Sequence, residues 1–444
     1  MLKKSLLALL AVTLCVLAVV LWQFLFPPAA VLDDFGDYGP APELVAPVTT
    51  LVPTVRPAKA VGWPDGESPS VPDGLAINLF ADGLDHPRWL YALPNGDVLV
   101  AESNAPEGSG LCSRMKNLAA SVVLQYGGAR TPSADRVTLL RDTDADGASD
   151  ESHVFADGLH SPFGMALVGN DLYIANADAV LRFDYVSGRT RLAGPGEVIT
   201  ALPAGKNHHW TKNILPAPDG RSLFVTVGSN SNVGECGPEA EVDRAAIHRL
   251  DLATGELTRF AHGLRNPNGL AFEPETGVLW TAVNERDELG SDLVPDYVTS
   301  VHEGDFFGWP YSYYGDHPQP GLDARWTAEP PAARSPDYAV GAHTASLDVL
   351  FARDSALPER WQSGLIVSQH GSWNRHPRAG YRVIFIPFEN GGPAGMPAEL
   401  VGGLLDADGN ARGRPAGLAL DATGALLVAD DVGNVVWRVS ESAR

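Results

Sequence analysis

A short phrase recurs six times along this chain, and that repetition constrains the fold more than any other feature. Each copy is a loop with Gly or Pro, an apolar run, a turn, and an alternating apolar strand. His86-Pro87-Arg88-Trp89-Leu90 leads to Asp97-Val98-Leu99-Val100-Ala101-Glu102, and Ser161-Pro162-Phe163-Gly164-Met165-Ala166 leads to Asp171-Leu172-Tyr173-Ile174-Ala175. The third copy runs from His208-His209-Trp210 to Leu223-Phe224-Val225-Thr226-Val227. The fourth runs from Arg265-Asn266-Pro267-Asn268-Gly269-Leu270 to Gly277-Val278-Leu279-Trp280. A degenerate fifth spans Leu347 to Ser372, and the sixth joins Arg414-Pro415-Ala416-Gly417-Leu418 to Ala425-Leu426-Leu427-Val428. Each phrase reads as two strands meeting at a turn such as Pro94-Asn95-Gly96. One such unit cannot bury both of its faces, so radial repetition is the stable solution. The spacing is roughly 60 residues per unit, above the ~40–45 of a minimal four-stranded blade, which leaves length for functional loops. The expectation is an all-β, six-bladed β-propeller over residues 71–444.

Composition agrees and excludes other classes. With 46 Gly and 35 Pro in 444 residues, short strands and tight turns are favoured over helices. A net charge of -22 and no basic run beyond Lys3-Lys4 argue against nucleic-acid binding. Apolar residues at 45 % supply a large core.

Lys3 and Lys4 precede an apolar run from Ser5 to Phe26, long enough to cross a bilayer as a helix. No clear small-x-small cleavage site follows it. Residues 1–28 therefore read as a signal or membrane anchor with the bulk exported to the periplasm, a cleaved signal peptide being the other reading. Residues 29–70, rich in Pro, Ala and Val, read as an extended linker. Export leaves Cys112 and Cys236 as the pair available for a bridge, two unpaired thiols being the alternative.

The loops that enter the repeated strands resemble the soluble quinoprotein glucose/sorbosone dehydrogenases. The resemblance rests on Gly263 to Phe272 followed by Gly308-Trp309-Pro310, and on Asn207-His208-His209-Trp210 before Pro218-Asp219-Gly220. It rests also on His370-Gly371-Ser372-Trp373-Asn374-Arg375 and on Arg412-Gly413-Arg414-Pro415. The wording is most similar to the sorbosone dehydrogenase-like branch. The resemblance implies a six-bladed propeller that oxidises an aldose or related aldehyde with pyrroloquinoline quinone (PQQ) and calcium.

Oxidising an alcohol or hemiacetal needs a base for the hydroxyl proton, and imidazole titrates near the working pH. His209, nine residues before Pro218, has the family spacing for that base. His208 competes with it; on a strand the two would face opposite ways, so one alone should point into the site. The resemblance places Arg265 and Asn266 beside the quinone, where a guanidinium would stabilise developing negative charge. Arg412 and Arg414, one residue apart, would project to one face of an extended chain and clamp a multi-carboxylate cofactor. The family's cofactor-facing Lys falls near His370, so His370 or Arg375 would substitute for it. A Gln expected near Leu159 is absent. His343 is a further polar candidate, with packing an equal explanation.

For calcium, the resemblance points to Asp292 with a carbonyl near Phe307, and Glu285 and Asp287 are nearby alternatives. A separate run, Asp142-Thr143-Asp144-Ala145-Asp146-Gly147, opens like an EF-hand loop but has His153 in place of the closing Glu. There is no Cys-x-x-Cys-His for a fused haem. Besides the dehydrogenase, a cofactor-free binding propeller and a calcium-dependent lactonase-type hydrolase are compatible with the architecture. Partners would be a small sugar or aldehyde and an unidentified electron acceptor, with the membrane met only through the N-terminal segment.

Overall fold

The structure, a computed structural model, describes residues 18–442 except 20, 24, 34, 51–52, 111–126 and 128–130. Among the described residues, six antiparallel sheets of four or five strands follow one another along the chain. Blade 1 is built from Pro87–Ala92, Val98–Glu102, Arg136–Arg141 and Glu151–Ala156, from the axis outward. Blade 2 spans Met165 to Ala201 and blade 3 spans Ile214 to His262. Blade 4 begins at Pro267–Phe272, blade 5 at Ser346–Phe351 and blade 6 at Pro415–Leu420. Leu75–Ala81 pairs with Val435–Glu441, so the start of the domain completes the last blade and closes the ring. The expected six-bladed propeller is present.

The burial pattern follows from the packing of sheet on sheet. Second strands such as Val98–Glu102, Ser222–Val227 and Leu279–Val283 are buried at every position, because a neighbouring blade covers each face. Outermost strands such as Glu197–Ala201 face solvent. The core divides into six clusters, one per blade interface. Leu99, Val137 and Phe155 of blade 1 meet Met165, Leu172 and Ile174 of blade 2. Phe80, Leu427 and Val436 of blade 6 meet Leu90, Val98 and Leu140 of blade 1. The Gly of the repeated phrase sits where inner strands cross: a Cβ on Gly269 would lie 2.5 Å from Val349 N.

Each inner strand starts where the second strand ends, as Pro87 pairs with Glu102, Pro267 with Val283 and Pro415 with Asp430. The segments before the first strands and between the second and third strands therefore share one mouth of the ring. Register slips at Pro87/Trp89, Pro267/Leu270, Ser346/Asp348 and Pro415/Leu418 place a bulge at that mouth in four blades, which re-aims the residues there.

Residues 29–70 depart from the expected extended linker. Tyr38–Gly39 adds a fifth strand to blade 4, pairing with Val340 and Ala339. Ser70 pairs with Gly402 and Ala60 with Ala411. Trp63 Nε1 donates to Asp430 Oδ2 at 2.7 Å. The segment is a strap across blades 4, 5 and 6, because its Pro-rich backbone finds unpaired edges and carboxylates there. Among the described residues no helix is long and apolar enough to cross a membrane, and most of the Ser5–Phe26 run lies outside them. Cys236 is disulfide-bonded, and Cys112 lies outside the described residues.

Candidate functional site

Among the described residues, two polar clusters line the mouth. The first gathers loops of blades 3, 4 and 5 around Arg265 and Asp287. Gly228 lets its members meet, since a Cβ there would lie 2.3 Å from Asn266 Oδ1 and 2.6 Å from His209 Cβ. His209 Nδ1 is 2.8 Å from the Ser229 carbonyl oxygen, which can only accept. Nδ1 therefore carries the proton, and Nε2 is left bare. Burial, with His208 and Arg265 adding to it, holds His209 well below the ordinary imidazole value. His208 is pushed down to about 4 by burial, helped by Arg265. The two rings lie side by side with centroids 4.5 Å apart, because residues 207–213 form no strand. The expectation of opposite faces fails for that reason.

Beneath them Lys212, fully buried, donates to Asn207 Oδ1 at 3.0 Å and to the carbonyl oxygens of His209 and Trp210 at 3.3 and 3.0 Å. Burial holds its amine well below the usual lysine value. Arg265 is used up within the protein. It donates to Asn232 O, Asn284 O, Glu285 O and Asn232 Oδ1, and meets Asp287 Oδ2 at 3.1 Å. Asn374 Nδ2 donates to Asp287 Oδ1 at 2.7 Å, and His343 Nδ1 stands 3.5 Å from the same oxygen. Burial works against the Asp287 charge, but Arg265, His343 and Asn374 together outweigh it and the carboxyl stays well below the usual range. Behind Arg265, burial pushes Glu285 up to about 7 and Asp296 up to about 6.

The second cluster joins blades 1, 5 and 6 around Asp431. Its Oδ2 accepts from Arg88 and from His370 Nε2 at 2.7 Å, and His86 Nε2 lies at 3.6 Å. Burial pushes His370 down to about 4 despite that carboxylate, with Arg88 and Arg414 contributing. Arg414 Nη2 donates to Tyr381 OH at 3.0 Å, its guanidinium 5.0 Å from the Tyr381 ring centre. Arg88 Nε, Arg414 Nε, Asn266 Oδ1 and Asp431 Oδ1 are buried without a partner among the described residues. Unmatched donors and acceptors of this kind are costly unless a ligand or water meets them. The segment His370–Arg375 spans both clusters, with His370 in one and Asn374 in the other.

A sequence profile of the TrAA12-like family matches residues 135–305 and 316–442. The chain belongs to the TrAA12-like family. Over 364 residues it is 23 % identical to the PQQ-dependent pyranose dehydrogenase of Coprinopsis cinerea, spanning 72 % of this chain but 44 % of that protein. It is 26 % identical over 306 residues to an uncharacterized protein of Borreliella burgdorferi, spanning 65 % of this chain and 77 % of that one. Among solved structures, the holo PQQ domain of the Coprinopsis enzyme superposes with a TM-score of 0.65 at 20 % identity, covering 86 % of this chain and all of that domain. The family AA12 enzyme of Trichoderma reesei gives 0.66 at 18 % identity, covering 89 % of this chain and all of that one. At these identities the superpositions establish the fold.

In this TrAA12-like protein, the mouth brings together His209, Arg265 and Asn266 in one cluster and His370 and Arg414 in the other. Arg412 does not join Arg414. It turns to Glu67 of the strap at 2.6 Å, because the chain at 411–413 bridges to the strap and to Leu405 instead of running extended. Arg375 is a strut, donating to Ser291 O at 2.8 Å and lying near Asp292 and Asp37. Asp292 is held as an acceptor by Val31 N at 2.7 Å and by Arg375 at 3.5 Å, surroundings that suit an anion and not a cation. Phe307 stacks on Tyr297 in the core. Asp292, with its carboxylate oxygens facing these donors, is thus not disposed to hold calcium. The carboxylates of Asp142, Asp144 and Asp146 do gather within 4.8 Å, each also capping an N–H of its own loop.

Arg88, His86, Asp431, Asn374 and Tyr381 were not singled out from sequence. The repeat itself carried a signal: His86 holds the position in its phrase that Asn266 and Arg414 hold in theirs, each directly before the Pro.

Proposed function

We propose that this protein is a PQQ-dependent sugar dehydrogenase acting on an aldose or a sugar-derived, sorbosone-like aldehyde. The observation that carries the reading is His209. It is neutral and pinned through Nδ1 to Ser229 O, which leaves Nε2 unprotonated and able to act as a base. The residues at the mouth suit an acidic, planar cofactor: the unpartnered Nε groups of Arg88 and Arg414 and the carbonyl of Asn266 match a ligand rich in carboxylate and ring N–H groups. When bound, PQQ supplies a two-electron acceptor. His209 Nε2 removes the proton of the hydroxyl being oxidised. Burial keeps that base unprotonated, and Arg265, locked by five hydrogen bonds, adds fixed positive charge that helps. Lys212 fixes the loop that carries the base. No step here rests on calcium. Titration of PQQ into the purified protein tests the reading. It predicts one saturable site, weakened at least tenfold by Arg414→Ala. Absence of binding by a folded, β-rich protein would overturn it.

A further inference from the structure

The described end of the N-terminal apolar run lies at the site-bearing mouth. Phe26 N donates to Trp22 O at 2.8 Å in a helical turn, and the two rings stand 4.6 Å apart. Leu21, Trp22, Leu25 and Phe26 are 51–64 % exposed, an apolar surface with no covering element in the described structure. Two residues on, Pro28 O accepts from Ser291 Oγ at 2.9 Å, and Ala30 N donates to His376 O at 2.6 Å. Ser291 and His376 belong to the loops that carry Asp287 and Asn374. Arg56 Nη2 donates to Leu25 O at 2.9 Å and so ties the turn to the strap.

Chain length converts this into an orientation. Two residues span at most about 7 Å, so a bilayer that holds Phe26 begins within that distance of the blade 4 loop. The surrounding surface has the composition of a membrane interface. Trp373 is 40 % exposed, and Arg56, Lys59 and Arg378 lie along the same stretch of strap and loop. Arg378 donates to the carbonyl oxygens of Arg56 and Pro57 at 3.0 Å, which keeps the basic groups together. Such a basic, aromatic patch stands out in a chain of net charge -22. The far mouth is different: a cavity of about 560 Å³ there is lined by Glu273, Glu275, Glu359 and Glu389 with Arg353, which an anionic bilayer would repel.

We infer that the propeller lies with its site-bearing mouth against a lipid bilayer, held by the apolar segment ending at Phe26 and by the Trp373–Arg56–Lys59–Arg378 patch. The acidic far mouth faces the aqueous side. This orientation does not depend on the reaction carried out at the site.

The test uses the full chain with Cys15→Ser, reconstituted into vesicles of phosphatidylethanolamine and phosphatidylglycerol that carry a nitroxide quencher below the headgroups. A fluorophore is attached at Trp373→Cys or, in a second protein, at Asn390→Cys on the far mouth; His376→Cys serves as a further near-mouth reporter should the Trp373 variant misfold. The chain is expected to float with the vesicles, with near-mouth labels quenched at least threefold more than the label at 390. Equal or greater quenching at 390, or failure of the chain to float, overturns the orientation. Neither readout involves PQQ or turnover, so the result is separable from that of the titration.

Discussion

His209 is a base because of its surroundings. The Ser229 carbonyl fixes the tautomer, and burial beside Arg265 keeps the ring neutral. A base must be unprotonated to act, and a lowered pKa moves the acid limb of the rate profile to lower pH. kcat/KM should therefore hold as pH falls through the ordinary imidazole value near 6.5 and decline only well below it; a midpoint at that ordinary value would contradict the assignment. Glu285 gives the opposite sign in stability. Burial lifts its carboxyl from 4.5 to about 7, so the folded state keeps a proton that the unfolded chain releases in between. Its stabilising contribution is complete below about pH 4.5 and is lost as pH rises through 7. Glu285→Gln should gain about 2–3 kcal/mol relative to wild type between pH 5 and pH 8, measured by denaturant unfolding at each pH. At this scale the gathering of His209, Asn266 and Arg414 at one mouth was legible, because the family resemblance marked these residues in the loops that enter the repeated strands. Arg412 was not: the alternation of side chains holds for an extended strand, and the bridging of 411–413 to the strap sends Arg412 to Glu67 instead.

The 207–213 loop shows how an element serves the site. Lys212 lies beneath it without a carboxylate partner among its hydrogen bonds and holds three acceptors of the loop in one geometry. Lys212→Met removes those bonds but also a buried amine whose charge was costly, so the two effects on stability oppose one another. The variant should lose about 10–100-fold in kcat, as misplacement of a base does, while its melting temperature shifts by only a few degrees. Loss of stability with kcat unchanged would give the lysine a purely structural role. The strap is the second such element. Removing residues 1–70 deletes the strand at Tyr38–Gly39 and the Trp63 hydrogen bond to Asp430, whose carboxyl burial already lifts to about 6. The truncated protein should melt several degrees lower by calorimetry, and an unchanged melting temperature would show that the strap only rests on the ring. Neither element could be read from local pattern. A Pro-rich segment without period looks the same whether it is free or pinned, since the edges that receive it lie hundreds of residues away in sequence.

Across the whole molecule the fold was the most legible feature, because six copies of one phrase average out the noise of each. Even the degenerate fifth copy forms a blade, since its interfaces with blades 4 and 6 are made by ordinary alternating residues such as Val349, Leu365 and Val367 on one side and Ile366 and Val383 on the other. The ring brings to one mouth residues as distant as Arg88 and Asp431, whose ion pair no local spacing announces. The function of that mouth is tested most directly by turnover. The protein, loaded with PQQ, should reduce an artificial dye in the presence of an aldose or sugar-derived aldehyde from a broad panel. His209→Ala should lower kcat by about 10²–10⁴ while PQQ binding is retained. Turnover unaffected by the loss of His209, or no turnover on any sugar by a PQQ-loaded and folded protein, would contradict the account.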